Sequence, residues 1–412
     1  MNERYAITLS NGLRVVMERS QSRAVYCGIV VKAGTRHEDE ADSGMAHFVE
    51  HMTFKGTSRR TARQLTGLLE RRGGDLCAFT SKQETVYYAQ VLPEDFPLAA
   101  DLLCDIVFYS LYPQTEINKE VEVICDEIGS YRDAPAELIF DEFESRLFPN
   151  YPLGRDVLGR PDRLRQYTTF DALRFTRRYY RPDNCVFYLY GNIDFERARR
   201  AIETAVKDVT PVAPIVSATS NSAIPSDLSA PFFHETKKET HQAHVVIGTK
   251  TIGGNDADSV ALQLLNNLLG GPAPNSRLNL ALRERAALVY SVDSYATHYP
   301  DTGSWMAYFG CDPADVNRCL RIIRRELLRL IEKPLSQRTL CAIQRQFTRQ
   351  VRLACDNAEN YALALGKTFA HYDRHRDIDN FCARVEAVTS DRLQALAARY
   401  LHPDSLSTLI YR

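Results

Sequence analysis

Residues 44–52, Gly44-Met45-Ala46-His47-Phe48-Val49-Glu50-His51-Met52, place two imidazoles and a carboxylate at helical spacing. In a helix of about 3.6 residues per turn, His47 and His51 lie one turn apart, with Glu50 able to reach the same point. Neutral imidazoles suit zinc, and a neighbouring carboxylate that is not a ligand can accept a proton from water. The alternative is a helix with two surface histidines. We interpret the segment as a metal-binding helix.

The order His-x-x-Glu-His inverts the commoner zinc-protease helix and is the inverzincin motif. Two histidines leave zinc short of a third protein ligand, which has to come from elsewhere in the chain. A second pair at the same spacing, His371 and His375, has Arg374 where the motif has its glutamate. A cation there cannot act as a base and would repel a metal ion, so we interpret this pair as surface histidines.

Length and composition limit the number of domains, the possible partners and the location of the protein. The 412 residues favour two domains of about 200 residues each. With 51 Lys and Arg against 52 Asp and Glu, the net charge of -1 argues against nucleic acid and anionic membranes as partners. No apolar run is long enough to span a bilayer, and the start lacks a secretory signal pattern. The ten cysteines form no CxxC pair, which favours free thiols and a cytoplasmic location.

An internal repeat divides the chain into two halves. Arg-Tyr-x-x-Pro-Asp occurs at residues 178–183 and again at 399–404, an offset of 221 positions, and Thr168 and Thr389 share that offset. A match of this length indicates two homologous halves. Residues 210–231 between them are rich in Pro, Ser, Ala and Thr, as is typical of a linker. We therefore predict an N-terminal domain at 1–209 and a C-terminal domain at 232–412.

Each half alternates strands with helices. In the first half we predict strands at 6–9, 14–17 and 25–31, a helix at 61–72, a strand pair within 75–92, and helices at 93–109 and 114–131. The second half begins with a strand at 244–248 and a helix at 257–269. This order favours an α+β fold, in which each domain is a mixed, largely antiparallel sheet with helices packed on one face.

Two glutamates on the helix predicted at 114–131 are further candidates. Glu120 and Glu127 stand seven positions apart, so they share one side of the helix. The pattern alone leaves a solvated face as the alternative.

The chain resembles the pitrilysin/insulinase family of zinc peptidases, in particular its branch of two-domain subunits related to the mitochondrial processing peptidase. The most specific block is AHFVEHMTFKGT at residues 46–57. The resemblance extends over nearly the whole chain, through residues 11–15, 34–38, 73–74, 80–81, 87–88, 152–154, 158–159, 191–192, 276–278 and 282–284.

The resemblance implies roles for individual residues. It selects Glu127, 76 positions beyond His51, as the third ligand of one zinc ion per chain, and Glu120, seven positions earlier, as a neighbouring functional carboxylate. It makes Glu50 the general base. Arg283 and Tyr290, seven apart in the second half, would contact the substrate and the oxyanion. An exposed strand near residues 78–80 (Ala78, Phe79 and Thr80) would take up the substrate as an added strand.

The implied protein is a zinc metalloendopeptidase for peptides or unfolded polypeptides, with two metallohydrolase-like halves that face each other as a clamshell. Because one chain carries both the metal set and the Arg283/Tyr290 pair, a homodimer is expected. The alternatives are a non-catalytic scaffold or peptide-binding subunit of a heterodimer, and a structural zinc domain. Such subunits typically lose a ligand or the base, and a structural site uses four protein ligands, whereas this chain retains three ligands and a free Glu50.

Overall fold

The computed structural model of the chain describes residues 3–211, 230–238 and 240–412. Most of the predicted linker at 210–231 lies outside the described residues. The eleven strands of the described residues are, in chain order, β1 (Arg4–Thr8), β2 (Arg14–Arg19), β3 (Val25–Val31), β4 (Asp75–Thr80), β5 (Thr85–Val91), β6 (Cys185–Gly191), β7 (Phe233–Thr236), β8 (Ala243–Thr251), β9 (Val289–His298), β10 (Gly303–Cys311) and β11 (Ser407–Tyr411).

The helices of the described residues are α1 (Met45–Thr53), α2 (Ala62–Glu70), α3 (Phe96–Phe108), α4 (Gln114–Arg132), α5 (Pro135–Leu147), α6 (Pro161–Leu164), α7 (Thr169–Tyr179), α8 (Phe195–Ala205), α9 (Ser259–Gly270), α10 (Val316–Glu332), α11 (Gln337–Ala354), α12 (Ala358–Tyr372), α13 (Ile378–Glu386) and α14 (Ser390–Tyr400). A π-helix spans Asn279–Glu284. Within the described part of the chain, no helix has the length and apolar content needed to cross a bilayer.

The chain forms two compact units that do not follow its linear halves. Unit 1 contains the described parts of Met1–Ser130, Arg155–Ala218 and Ala354–Arg376. Unit 2 contains the described parts of Tyr131–Gly154, Thr219–Leu353 and Asp377–Arg412. Each unit therefore includes one helical segment from the other half of the sequence: α12 belongs to unit 1, and α5 belongs to unit 2.

Unit 1 is built on a mixed six-stranded sheet in the order β1-β2-β6-β3-β5-β4. β2 and β6 are parallel, and every other neighbouring pair is antiparallel. Alternate residues along the central strands face a large apolar core shared with α1, α2, α3, α4, α7 and α8. The predicted α+β class, with a mixed sheet and a layer of helices packed on it, is thus confirmed.

The opposite face of this sheet is covered by α12. Leu365 and Phe369 of α12 pack with Val30, Val186 and Tyr188 of the sheet in a second, smaller core. The helix approaches closely because residue 366 is glycine: a Cβ there would lie 2.4 Å from Cδ1 of Tyr188. This second layer explains why residues 354–376 belong to unit 1 although they lie in the C-terminal half.

Unit 2 repeats the arrangement. Its sheet has the order β7-β11-β8-β10-β9, with β7 and β11 parallel and the remaining pairs antiparallel. This matches β2-β6-β3-β5-β4 strand for strand, and α5 covers the second face as α12 does in unit 1. The repeated threonines have equivalent places, since Thr168 and Thr389 are the N-cap residues of α7 and α14. The two homologous halves inferred from the repeat are therefore visible in the topology.

A buried charge cluster joins α12 to the β4–β5 turn of unit 1. Glu84 accepts a hydrogen bond from His371 (Oε2–Nε2 2.7 Å) and pairs with Lys367 (2.8 Å), and its side chain is 4 % exposed. Burial alone would raise the pKa of Glu84, but His371 and Lys367 outweigh it and lower the pKa to about 2. The ionised carboxylate therefore stabilises the folded state at neutral pH.

This cluster predicts acid sensitivity. Glu84 has a pKa of about 4.3 in the unfolded chain and about 2 in the folded protein. Its contribution to stability is therefore complete above about pH 4.3 and is lost as the pH falls towards 2. The shift corresponds to about 3 kcal/mol. Urea unfolding of Glu84→Gln should show a shallower fall in stability between pH 5 and pH 2 than the wild type. Glu94→Gln, at an exposed position of the same unit, should keep the wild-type slope.

Candidate metal centre

The start of α1 is fixed by backbone conformation and by a buried carboxylate. Gly44 has φ 82°, and a Cβ there would lie 2.7 Å from Cα of Gly159, so conformation and space both require glycine. Glu38 accepts hydrogen bonds from the backbone N–H groups of Gly44 (2.9 Å) and Ala46 (2.8 Å). Carboxyl oxygens at a helix N-terminus satisfy free backbone amides, and burial raises the pKa of Glu38 to about 8 although these two hydrogen bonds oppose the shift. Glu38 thus positions the turn that carries His47.

Three ligand atoms converge between α1 and α4. Nε2 of His47 lies 3.9 Å from Oε1 of Glu127, and Nε2 of His51 lies 3.5 Å from Oε2 of the same carboxylate. The ligand atoms of His47, His51 and Glu127 all lie within 4.8 Å of one another, the one such group of three or more found in the described residues. Ligands about 2 Å from a tetrahedral zinc ion lie roughly 3.3 Å apart. The observed separations fit a zinc ion after small side-chain rotations.

The protonation of the imidazoles also suits a metal. Burial lowers the pKa of His47 to about 3, so this ring is neutral and offers a lone pair across the physiological range. Several carboxylates raise the pKa of His51. Burial alone would lower this pKa, but the hydrogen bond to Glu120 and the charges of Glu50 and Glu127 outweigh burial. A metal cation at this point would replace the proton that these carboxylates otherwise attract.

Glu120 holds the ring of His51 rather than completing the ligand set. Its Oε1 lies 3.0 Å from Nδ1 of His51, and its Oε2 lies 2.6 Å from Nζ of Lys55. A carboxylate on the second ring nitrogen fixes the tautomer and directs Nε2 towards the metal position. Glu120 is also buried, so the solvated-face alternative does not describe it.

Glu50 lies beside the ligands without belonging to them. It is buried, and the hydroxyl of Thr80 on the edge strand β4 donates a hydrogen bond to its Oε2 (2.6 Å). Burial raises the pKa of Glu50, although the Thr80 hydrogen bond opposes that shift. A carboxylate with a raised pKa is a stronger base than one in water. The site thus places a buried carboxylate beside three side chains that could hold a metal ion.

The remaining predicted residues lie elsewhere in the two units. Ala78 and Phe79 are partly exposed on β4, the edge strand that also presents Thr80 to Glu50. Arg283 lies on the π-helix of unit 2 with its side chain about half exposed, and Tyr290 on β9 is 85 % exposed. Their roles in substrate binding stay a prediction.

The interpretation of His371 as a surface histidine was wrong. Its side chain is only 10 % exposed and bonds Glu84. Asp373 is left-handed (φ 51°) and ends α12, so His375 is not on the same helix. His375 instead packs against the ring of Phe369, with centroids 5.8 Å apart. These two histidines form no ligand pair.

Sequence reasoning did not assign roles to Glu38 or Lys55. Both lie in segments that carried the family resemblance, residues 34–38 and 46–57, but their partners are set by tertiary contacts. The available signal for Glu38 was an acidic loop just before the helix start, but Asp39, Glu40 and Asp42 lie in the same loop.

Replacing Glu38 with alanine should loosen the start of α1. Losing the two backbone hydrogen bonds that Glu38 accepts should lower the unfolding free energy by about 1–2 kcal/mol. Because His47 follows directly, zinc affinity should fall about tenfold, measured by competition with a chelating dye. Glu40→Ala, an exposed position in the same loop, is the control. Unchanged zinc affinity in Glu38→Ala would show that the cap does not position the ligands.

The fold and the site together define a metallopeptidase centre of the inverse His-x-x-Glu-His type. Residues 14–161 match the family model described as insulinase (peptidase family M16), and residues 168–347 match the model described as the peptidase M16 inactive domain. The chain belongs to the insulinase family, peptidase family M16, and is related to the mitochondrial processing peptidase.

Similar proteins cover nearly the whole chain. An uncharacterized zinc protease of Bacillus subtilis is 32 % identical over 415 residues, covering 100 % of this chain and 98 % of its own length. The mitochondrial-processing peptidase subunit beta of Bos taurus is 28 % identical and covers 96 % of this chain and 82 % of its own length. A protease from Helicobacter pylori has the same fold, with a TM-score of 0.90 at 20 % identity and full coverage of both chains.

Proposed function

We propose that the protein is a zinc metalloendopeptidase that hydrolyses peptides or unfolded polypeptides, with Glu50 as general base. The observation that carries this proposal is the buried Glu50 carboxylate, held by Thr80 beside the converging ligand atoms of His47, His51 and Glu127. A purely structural zinc site would have four protein ligands and no free base. The relatives named as zinc proteases support the metal and the class of reaction.

When bound, zinc supplies Lewis acidity that brings the pKa of water to about 7 and polarises a carbonyl. Glu50 takes a proton from the water as its oxygen attacks the peptide carbonyl carbon. Glu50 then gives that proton to the leaving amine as the C–N bond breaks. The Thr80 hydroxyl occupies Oε2 of Glu50 and leaves Oε1 for the proton. Glu120 and Lys55 hold His51 in place throughout.

The edge strand β4 suits a substrate that binds as an added strand. β4 pairs with β5 on one side and has no strand on the other within the described sheet. We propose that Ala78, Phe79 and Thr80 bind the peptide main chain, so that side-chain selectivity is weak. The hydrogen bond from Thr80 to Glu50 links this strand to the base.

We also propose that Arg283 and Tyr290 contact the substrate and the developing oxyanion. Removing the hydroxyl in Tyr290→Phe should lower kcat by about 100-fold and leave zinc content unchanged. Tyr295→Phe, on the same strand β9, serves as the matched control. Equal kcat values for Tyr290→Phe and the wild type would exclude Tyr290 from the reaction.

The proposal is tested by metal analysis together with cleavage of a quenched peptide library. The purified chain should contain one zinc ion, lose activity on chelation and recover it when zinc is restored. A chain that binds zinc but cleaves no library peptide would support the alternative, a non-catalytic peptide-binding subunit. A chain that cleaves peptides equally well after complete metal removal would contradict the proposed chemistry.

Assembly and location extend the proposal. Because one chain contains both the ligand set and the Arg283/Tyr290 pair, we propose a homodimer rather than a heterodimer with a separate catalytic subunit. All ten cysteines are free thiols, which supports a reducing, cytoplasmic environment.

A further inference from the structure

A groove in unit 2 is lined almost entirely by arginine and small apolar side chains. It has a volume of about 450 Å³ and lies between α10 and the C-terminal end of the π-helix. Its lining residues are Ala281, Arg285, Ala286, Arg318, Arg321, Ile322 and Arg325. No carboxylate is among the described residues that line it. The groove is therefore strongly cationic although the whole chain has a net charge of only -1.

The arginines of α10 divide into two groups by their partners. Outside the groove, Arg324 pairs with Asp404 (2.6 Å) and Arg329 pairs with Glu326 (2.6 Å). In the groove, Arg325 has no carboxylate partner among the described residues.

The other groove arginines are also available to a ligand. Arg318 reaches its nearest carboxylate, Asp315, only at 3.9 Å, and Arg321 bonds a carbonyl of its own helix. Arg285, at the end of the π-helix, is exposed and has no carboxylate partner in the described part of the chain. Four guanidinium groups thus share one cavity with little internal neutralisation.

The shape of the groove favours a peptide over a purely ionic ligand. Its lining also includes Ala281, Ala286 and Ile322, which offer apolar contact to a main chain and side-chain methylenes. Arg318 and Arg325 are seven residues apart on α10, a distance of roughly 10 Å along the helix. An extended chain covers that distance in about three residues. Guanidinium groups bind carboxylates through two parallel hydrogen bonds, which lysine cannot form.

We propose that this groove binds an acidic segment of the polypeptide substrate, with at least two carboxylates within about four residues. The inference deepens the proposed peptidase function and rests on it, since it names the substrate class.

The test measures peptide binding. A fluorescent peptide containing Glu-Glu-x-Glu and its Gln-Gln-x-Gln counterpart are titrated against the full chain at low and moderate salt. The acidic peptide should bind at least about fivefold more tightly than its counterpart, and higher salt should reduce this difference in affinity. The double variant Arg321→Gln/Arg325→Gln should lose this difference. Arg345→Gln/Arg349→Gln removes the same charge at the same spacing from exposed positions on α11 and should retain it.

Each outcome decides between explanations. Equal preference for the acidic peptide in the groove variant and the wild type would overturn the proposal, as would equal loss in the α11 control. Binding of inorganic tripolyphosphate that depends on Arg321 and Arg325, without binding of the acidic peptide, would also overturn it. Because the readout is binding, the two proposals can fail separately. A chain that cleaves no peptide but binds the acidic peptide through Arg321 and Arg325 would refute the peptidase proposal, and the groove would still be a site for acidic peptides.

Discussion

Glu50→Gln should abolish peptide hydrolysis while the chain keeps its zinc. Glutamine preserves the shape of the side chain and can still accept the hydrogen bond from Thr80, but it cannot take a proton from water. Loss of a general base costs about 10²–10⁴-fold in rate, and we expect kcat to fall at least about 10³-fold because Glu50 both accepts and returns the proton. Zinc content and affinity should stay at the wild-type level, since Glu50 is not in the converging ligand set.

The decisive test compares both kcat and zinc content between each variant and the wild type. Glu94→Gln, an exposed glutamate in unit 1, controls for the loss of one charge and should behave as the wild type. If Glu50→Gln bound zinc and cleaved the peptide library at the wild-type rate, another group would have to be the base. If it lost zinc and activity together, Glu50 would be a ligand.

His47→Ala should lose both zinc and activity. The ring is buried with a pKa near 3, so it acts as a neutral donor, and its removal leaves two ligands of unequal exposure, His51 and Glu127. We expect zinc affinity to fall by more than about 10³-fold, and activity to fall with it at ordinary zinc concentrations. Equilibrium dialysis against buffered zinc measures the first effect, and peptide cleavage measures the second.

A thermal readout separates lost binding from lost folding. Zinc at 100 times its Kd should stabilise the wild type by about 2.7 kcal/mol, so Tm should rise on adding zinc. His47→Ala should melt near the zinc-free wild type and show no such rise. His241→Ala, at an exposed position outside the site, should respond to zinc as the wild type does. A zinc-dependent rise in His47→Ala would place the metal elsewhere.

Local spacing was sufficient to predict α1 and the placing of His47, Glu50 and His51 together on it. The i, i+4 relation of His47 and His51 depends only on helix geometry, so it could be inferred from nine residues. The repeated Thr168 and Thr389 likewise mark helix starts because N-capping is a local interaction. Where the determinants lie within one or two turns, sequence pattern and structure agree.

Determinants that depend on distant contacts were harder to predict. Glu127 could be separated from a solvated surface only through family resemblance, because no local rule relates it to a histidine 76 positions earlier. Lys55 acquired a role through Glu120, and His371 became buried through Glu84. The assignment of α5 and α12 to their units likewise depends on which sheet their apolar faces cover.

Because of where α5 and α12 pack, the N-terminal and C-terminal halves of the chain depend on each other for stability. A polypeptide ending before residue 212 would include every strand of the first sheet but not the helix that shields Val30, Val186 and Tyr188 from water. Its complement would lack the cover of Val246 and Leu409 for the same reason. Dividing the chain at this junction would thus give two fragments that depend on each other, because each contains the helix that covers an apolar face of the other's sheet.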